Sequence, residues 1–140
     1  VDNVDFGGKP YVADIEELTL KNANFRTAKW TGSNMQMTLM SIKTGSEVGL
    51  EVHDSHDQFL RIEQGKAKVV MGKSKDNLDF ETEASSDFAI FVPAGYWHNI
   101  VNIGNDDLKL YSIYAPAEHP KGTVHKTFEE AMLAEAEHHN

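Results

Sequence analysis

The sequence predicts an all-β barrel or sandwich, on three observations. From Asn34 onward apolar and polar residues alternate in short runs. These runs number about eight and recur at a spacing of roughly ten residues. Clusters of Gly, Pro, Ser, Asn and Asp separate them, as turn chemistry requires.

In order along the chain, "VADIEELTL" is open to a short helix or a strand lead-in, and "NANFRTAKWTG" reads as extended. "NMQMTLMSI" alternates, with Met35, Met37 and Leu39 on one face. "TGSEVG" turns, "LEVH" resumes a strand and "DSHD" breaks it. "QFLRIE" places Leu60 and Ile62 on one face; Gln58 shares it, while Phe59, Arg61 and Glu63 point the other way. "AKVVM", "FETEA", "FAIFV", "WHNIVNI" and "LKLYSIYA" complete the strands, parted by "KSKDNLD", "SSD", the Pro93–Gly95 turn and "GNDD". Beyond Pro116 and Pro120, a helix is expected over about residues 127–138, with Thr127 as N-cap, Glu130 closing a capping box, and Phe128 and Met132 as a thin apolar stripe. No internal repeat or linker is visible, so residues 1–140 read as a single domain.

Composition narrows the function classes. Of 140 residues, 40 % are hydrophobic and 25 % charged, the balance of a folded chain. Thirteen basic against 22 acidic side chains leave a net charge of −9, which argues against general nucleic-acid binding. With no cysteine, thiolate metal sites, disulfides and Cys nucleophiles are excluded. No apolar run approaches the roughly 18 residues of a membrane span, and no leader is visible. The expectation is a cytoplasmic protein with a small-molecule substrate and neither nucleic acid nor membrane as partner.

The candidate chemistry lies in the histidines. His138 and His139 belong to the tail; His119 and His125 flank "PKGTV". If "LEVH" is a strand, Glu51 and His53 share a face, and Gln58 joins them from the next strand. His98 follows the rigid Pro93–Gly95 turn and supplies a fourth group from across the barrel. Nitrogen and oxygen donors without sulfur suit one divalent transition ion: zinc, iron, manganese, nickel or copper. His53, His56 and Asp57 form a rival ligand set.

The same residues resemble the two motifs of the cupin superfamily. The second motif has the form Gly, five residues, Pro-x-Gly-x-x-His, three residues, Asn; Pro93, Gly95, His98 and Asn102 fall in register, and Asp87 stands in place of the first Gly. In the first motif, counting back from Gly65, Gln58 takes the Glu place, His53 that of the second His and Glu51 that of the first. The match covers roughly residues 35–116. It implies a small single-domain cupin of bacterial type: a double-stranded β-helix, or jelly roll, with a short C-terminal helix. It also implies that Glu51, His53, Gln58 and His98 are the metal ligands, that Asn102 braces the hairpin, and that the protein is a homodimer. The acid–amide–two-histidine set is similar to the zinc set of phosphomannose isomerases, with acid and amide exchanged; Gln in the Glu place also occurs in small cupins acting on unsaturated uronic sugars.

From these expectations follows a metal-dependent enzyme isomerising a sugar or sugar acid through an enediol, with Glu51 and His98 as its catalytic residues. Glu51 or a metal-bound water would be the base. A non-catalytic metabolite- or sugar-binding module, a non-haem dioxygenase, or an interaction protein with a vestigial pocket are the alternatives. Trp97, Tyr114 and Met37 are the expected substrate-pocket residues: Trp97 at the mouth, Tyr114 inward by its parity with Leu108 and Leu110, and Met37 near the floor. Tyr96 packs the rim, and Arg61 pairs with Glu63. "HPKGTVH" either folds over the mouth, bringing Lys121 or His125 to an anionic ligand, or merely connects to the helix.

Overall fold

The structure, a computed structural model, describes residues 3–139, with side chains to residue 136; the side chains of His138 and His139 lie outside that range. Helix α1 (Ile15–Lys21) precedes strands β1 (Arg26–Thr31), β2 (Gln36–Ile42), β3 (Asp57–Gln64), β4 (Lys66–Gly72), β5 (Phe80–Ser85), β6 (Ala89–Val92), β7 (Trp97–Asn102), β8 (Leu108–Ala115) and β9 (Val124–His125). Helix α2 (Phe128–His139) ends the chain. The strands form a six-stranded sheet, β6-β3-β8-β2-β1-β9, facing a three-stranded one, β5-β4-β7. Every pairing within them is antiparallel. This is the double-stranded β-helix. Among the described residues no helix is long and apolar enough to cross a membrane.

Alternation builds the core. On β3, Gln58, Leu60 and Ile62 are buried between the sheets, and register carries that face to Tyr114, Ser112 and Leu110 on β8. Val69, Met71 and Ile100 meet them from the smaller sheet. Arg61 faces out and pairs with Glu63 and Asp87. The open segment near the N-terminus is α1: Asp14 caps it by accepting from the Glu17 N–H at 3.1 Å, and it packs on the outer face of β2, β3 and β8. Thr127 caps α2, accepting from Glu130 N–H at 3.1 Å. The Glu130 carboxylate reaches back to Lys126 N–H rather than to the cap itself.

Three expectations change. "LEVH" is not a regular strand: Gly49 (φ +107°) breaks the extended run, and its N–H is taken by the Asn99 side chain at 2.9 Å. Only single bridges remain, Glu47 with Val101 and Glu51 with His98. Val124–His125 pairs with β1 as a ninth, two-residue strand. Met37 is not a pocket residue. It pairs with Trp30 and Ile113 on the outer face, and strand alternation sets it opposite Gln36, Thr38 and Tyr114.

Candidate metal centre

His98 is aimed by the turn before it. Gly95 adopts φ +84° and donates its N–H to the His53 carbonyl at 2.9 Å, while Tyr96 N–H closes the turn onto Pro93 O at 3.2 Å. The turn is therefore tied to the segment carrying His53. Where the motif has its first glycine, Asp87 takes the left-handed conformation itself, at φ 74°, which a short polar side chain tolerates. Glu51 is brought in by two backbone bonds to His98, at 3.0 and 2.9 Å.

The three side chains converge. Glu51 Oε1 lies 3.5 Å from His53 Nε2 and 3.8 Å from His98 Nε2, and all three ligand atoms fall within 4.8 Å of one another. Each is buried, and beyond one another they have no polar partner among the described residues. An ion held tetrahedrally about 2.1 Å from its donors sets those donors about 3.4 Å apart, close to the spacing found here. Gln58 is on the same inner face. Its amide N–H₂ donates to Ser112 Oγ at 2.8 Å, and its Oε1 is buried with no partner among the described residues. The donor set therefore fits a divalent ion, which Glu51, His53 and His98 could hold, with the Gln58 oxygen also available. The rival set is not assembled. His56 donates through Nε2 to Ala117 O at 3.0 Å, and Asp57 accepts from Ala94 N–H at 3.0 Å.

Outer partners fix the rings. His98 Nδ1 donates to Tyr96 O at 3.1 Å, which leaves the Nε2 lone pair facing the cluster. Burial holds the His98 pKa below its ordinary value, so the ring is neutral. His53 Nδ1 lies 3.3 Å from Glu118 Oε2. Burial opposes a charge on His53, but Glu118 and Glu51 outweigh it and raise its pKa to about 9. Burial likewise opposes the Glu51 charge, yet His53, Arg26 and His98 hold its pKa at about 2. Glu118 was not foreseen. It follows a cis Ala115–Pro116 bond in a segment without periodicity. Gln36 places it, accepting from Glu118 N–H (3.2 Å) and His119 N–H (2.9 Å) while donating to His119 O (2.8 Å). Nothing in the sequence links Gln36 to Glu118 across 82 residues.

Since a ligand nitrogen must be free of its proton, ion binding competes with protonation of His53. Metal affinity is expected to rise about tenfold per pH unit up to about pH 9. Metal-free stability moves the other way. The His53 contribution is complete below its unfolded pKa of about 6.5 and is lost as pH rises through about 9. Titration calorimetry and thermal melts between pH 6 and 9 read the two slopes. Glu118→Gln is expected to cost about 10–100-fold in affinity at the alkaline end and less near neutrality, where it also weakens the competing proton.

Above the cluster is an open cavity of about 570 Å³. Trp97 lines it; Tyr96 lines a separate groove. Tyr114 is fully buried, with its ring 5.7 Å from that of His53. "HPKGTVH" forms a wall of the cavity through His119, Thr123 and His125, whereas Lys121 is exposed and does not line it. Arg26 and Glu135, also unforeseen, meet at this wall at 3.6 Å. An arginine in an alternating run carries no sequence signal that it faces inward.

Known proteins match both sequence and fold. The family model described as Cupin domain matches residues 38–114. The Bacillus subtilis protein YrkC is 57 % identical over 94 % of this chain and 70 % of its own length. A crystal structure from Bacillus halodurans superposes with a TM-score of 0.92 at 54 % identity, covering 93 % of this chain and 98 % of that one. A predicted oxalate decarboxylase from Thermotoga maritima shares the fold at a TM-score of 0.53 and 21 % identity, over 61 % of this chain and 69 % of that one.

Proposed function

The chain belongs to the cupin family, and from that premise we propose that it is a metal-dependent enzyme acting on a small oxygenated molecule, a sugar or sugar acid. One observation carries the reading. Three buried donor atoms, with no partner among the described residues but one another, meet beneath an open cavity of about 570 Å³. Leaving such atoms unpaired is costly unless a ligand satisfies them. A divalent ion there supplies Lewis-acid polarisation of a substrate oxygen.

Within this proposal the chain's residues have distinct tasks. Glu51, with its pKa near 2, is a poor base and serves to bind, as does neutral His98. Proton transfer, first expected of Glu51, then falls to groups on the cavity wall. Trp97 offers an aromatic face on which a sugar ring can stack. Isomerisation is the reaction class that suits a site holding a hydroxyl and a neighbouring carbonyl together. The homodimer is also part of the proposal. In its support, Phe91 is 70 % exposed and its ring packs 5.1 Å from that of Phe59, tilted by 60°, leaving an apolar outer face on the large sheet.

The test has three arms. Metal analysis of untagged protein is expected to find one ion per chain. Solvent-deuterium incorporation into a panel of aldoses, ketoses and uronates is expected for at least one member. Sedimentation is expected to give a dimer. One bound ion without exchange on any substrate would favour the binding module, and absence of any bound ion after loading with zinc, iron, manganese or nickel would overturn the reading.

A further inference from the structure

Arg26, on β1, is wholly buried, and its register with Met40 puts it on the inner face. Its Nη1 lies 3.2 Å from His125 Nδ1 and 3.6 Å from Glu135 Oε1. Its Nε and Nη2 have no partner among the described residues. These two nitrogens project their N–H bonds side by side. They are the fork that takes both oxygens of a carboxylate. A buried guanidinium with an unused fork is an expensive feature for a fold to keep without an anion to receive.

Glu135, which lines the cavity, meets this guanidinium on its Nη1 side. Residues Phe128, Ala131 and Met132 anchor the first half of α2 in the core, and Ala134 and Glu135 on the next turn face the cavity. Glu135 reaches Nη1 only at 3.6 Å and leaves the fork empty, so it is an imperfect occupant.

We propose that Arg26 is the recognition residue for the carboxylate of a small organic acid, and that Glu135, at Nη1, supplies its counter-charge in the free protein. The ligand enters by exchange: its carboxylate takes the fork, Glu135 leaves Nη1, and the second half of α2 moves off the cavity. One carboxylate replaces another, so the buried charge stays balanced. A phosphate dianion fits less well, because one guanidinium beside Glu51, Glu118 and Glu135 offsets one negative charge rather than two. The inference rests on the proposed function and narrows its substrate to the acid.

The experiment is titration calorimetry on the full chain, metal-free and zinc-loaded. The probes are glucuronate, galacturonate, pyruvate and acetate, their neutral counterparts methyl glucoside, methyl galactoside, acetone and acetamide, and inorganic phosphate. Carboxylates are expected to bind at least about tenfold tighter than their neutral counterparts. Arg26→Met and Arg26→Lys are expected to lose that preference while keeping bound zinc, the lysine variant guarding against a folding defect. Glu135→Gln is expected to tighten carboxylate binding about fivefold and to speed amide exchange over residues 133–139. Equal binding of acids and neutral compounds, tighter binding of phosphate, no binding by any carboxylate, or a preference that survives in folded Arg26→Lys would each overturn the proposal. If the protein holds no zinc, the metal reading fails, and the metal-free titrations still decide the role of Arg26.

Discussion

His98→Ala is expected to abolish tight metal binding while leaving the β-sandwich folded. The imidazole contributes one of three inward donors and makes one further hydrogen bond, from Nδ1 to Tyr96 O. Loss of an inward donor should exceed the roughly 10–100-fold cost of losing an outer partner. The structural cost is smaller. The lost hydrogen bond is worth about 1 kcal/mol, and the space left opens toward a cluster already rich in unpaired polar atoms, which water can enter. The Tyr96 carbonyl can turn to the same water. Affinity from competition with a chromophoric chelator, set beside the metal-free Tm, separates the two effects. An unchanged affinity would remove His98 from the site. A collapsed fold would show that the ring is a packing element first.

Asn102→Ala is expected to give the largest stability loss of any single polar substitution in the second motif. Asn102 is 3 % exposed and closes three bonds at once. Its N–H₂ donates to Ile42 O and Asp106 O, both at 2.9 Å, and its Oδ1 accepts from Gly104 N–H at 2.9 Å. These join β7, the loop after it and the end of β2 on the facing sheet. Alanine leaves two carbonyls and one N–H to find water, and the Ile42 carbonyl is the most enclosed of them. An unsatisfied buried group costs about 1–3 kcal/mol, so a total of about 2–4 kcal/mol is expected. For a domain of this size that is a Tm lower by roughly 6–15 °C. Asn102→Asp keeps the acceptor for Gly104 but sets a buried carboxylate oxygen against the Ile42 and Asp106 carbonyls, so it should melt no higher than the alanine variant. Equal melting of all three proteins would deny the bracing role.

Much of the architecture was legible because strand alternation is a short-range property. The inward set Gln58, Leu60 and Ile62, the outward Arg61, and the inward Tyr114 all follow from a period of two within a single strand. The Pro93–Gly95 turn could be read because proline and glycine each impose a backbone conformation of their own. Met37 was misplaced for the complementary reason. Alternation tells which residues share a face, and only pairing with Trp30 and Ile113 tells which face is inside. Glu51 and His53 were brought to one point, but not by the regular strand that argued for it; a break at Gly49 and a bridge to His98 accomplish it.

The amino-acid order by itself determined the all-β class, the cupin family and the residues Glu51, His53 and His98, because each depends on spacing along the chain. What surrounds them was decided only on folding. Glu118 behind His53, Gln36 holding Glu118, and Arg26 facing Glu135 are contacts between residues 65 to 109 positions apart, and no local pattern records such a distance. Backbone geometry is dictated by neighbours in sequence, whereas the electrostatics of a site come from neighbours in space.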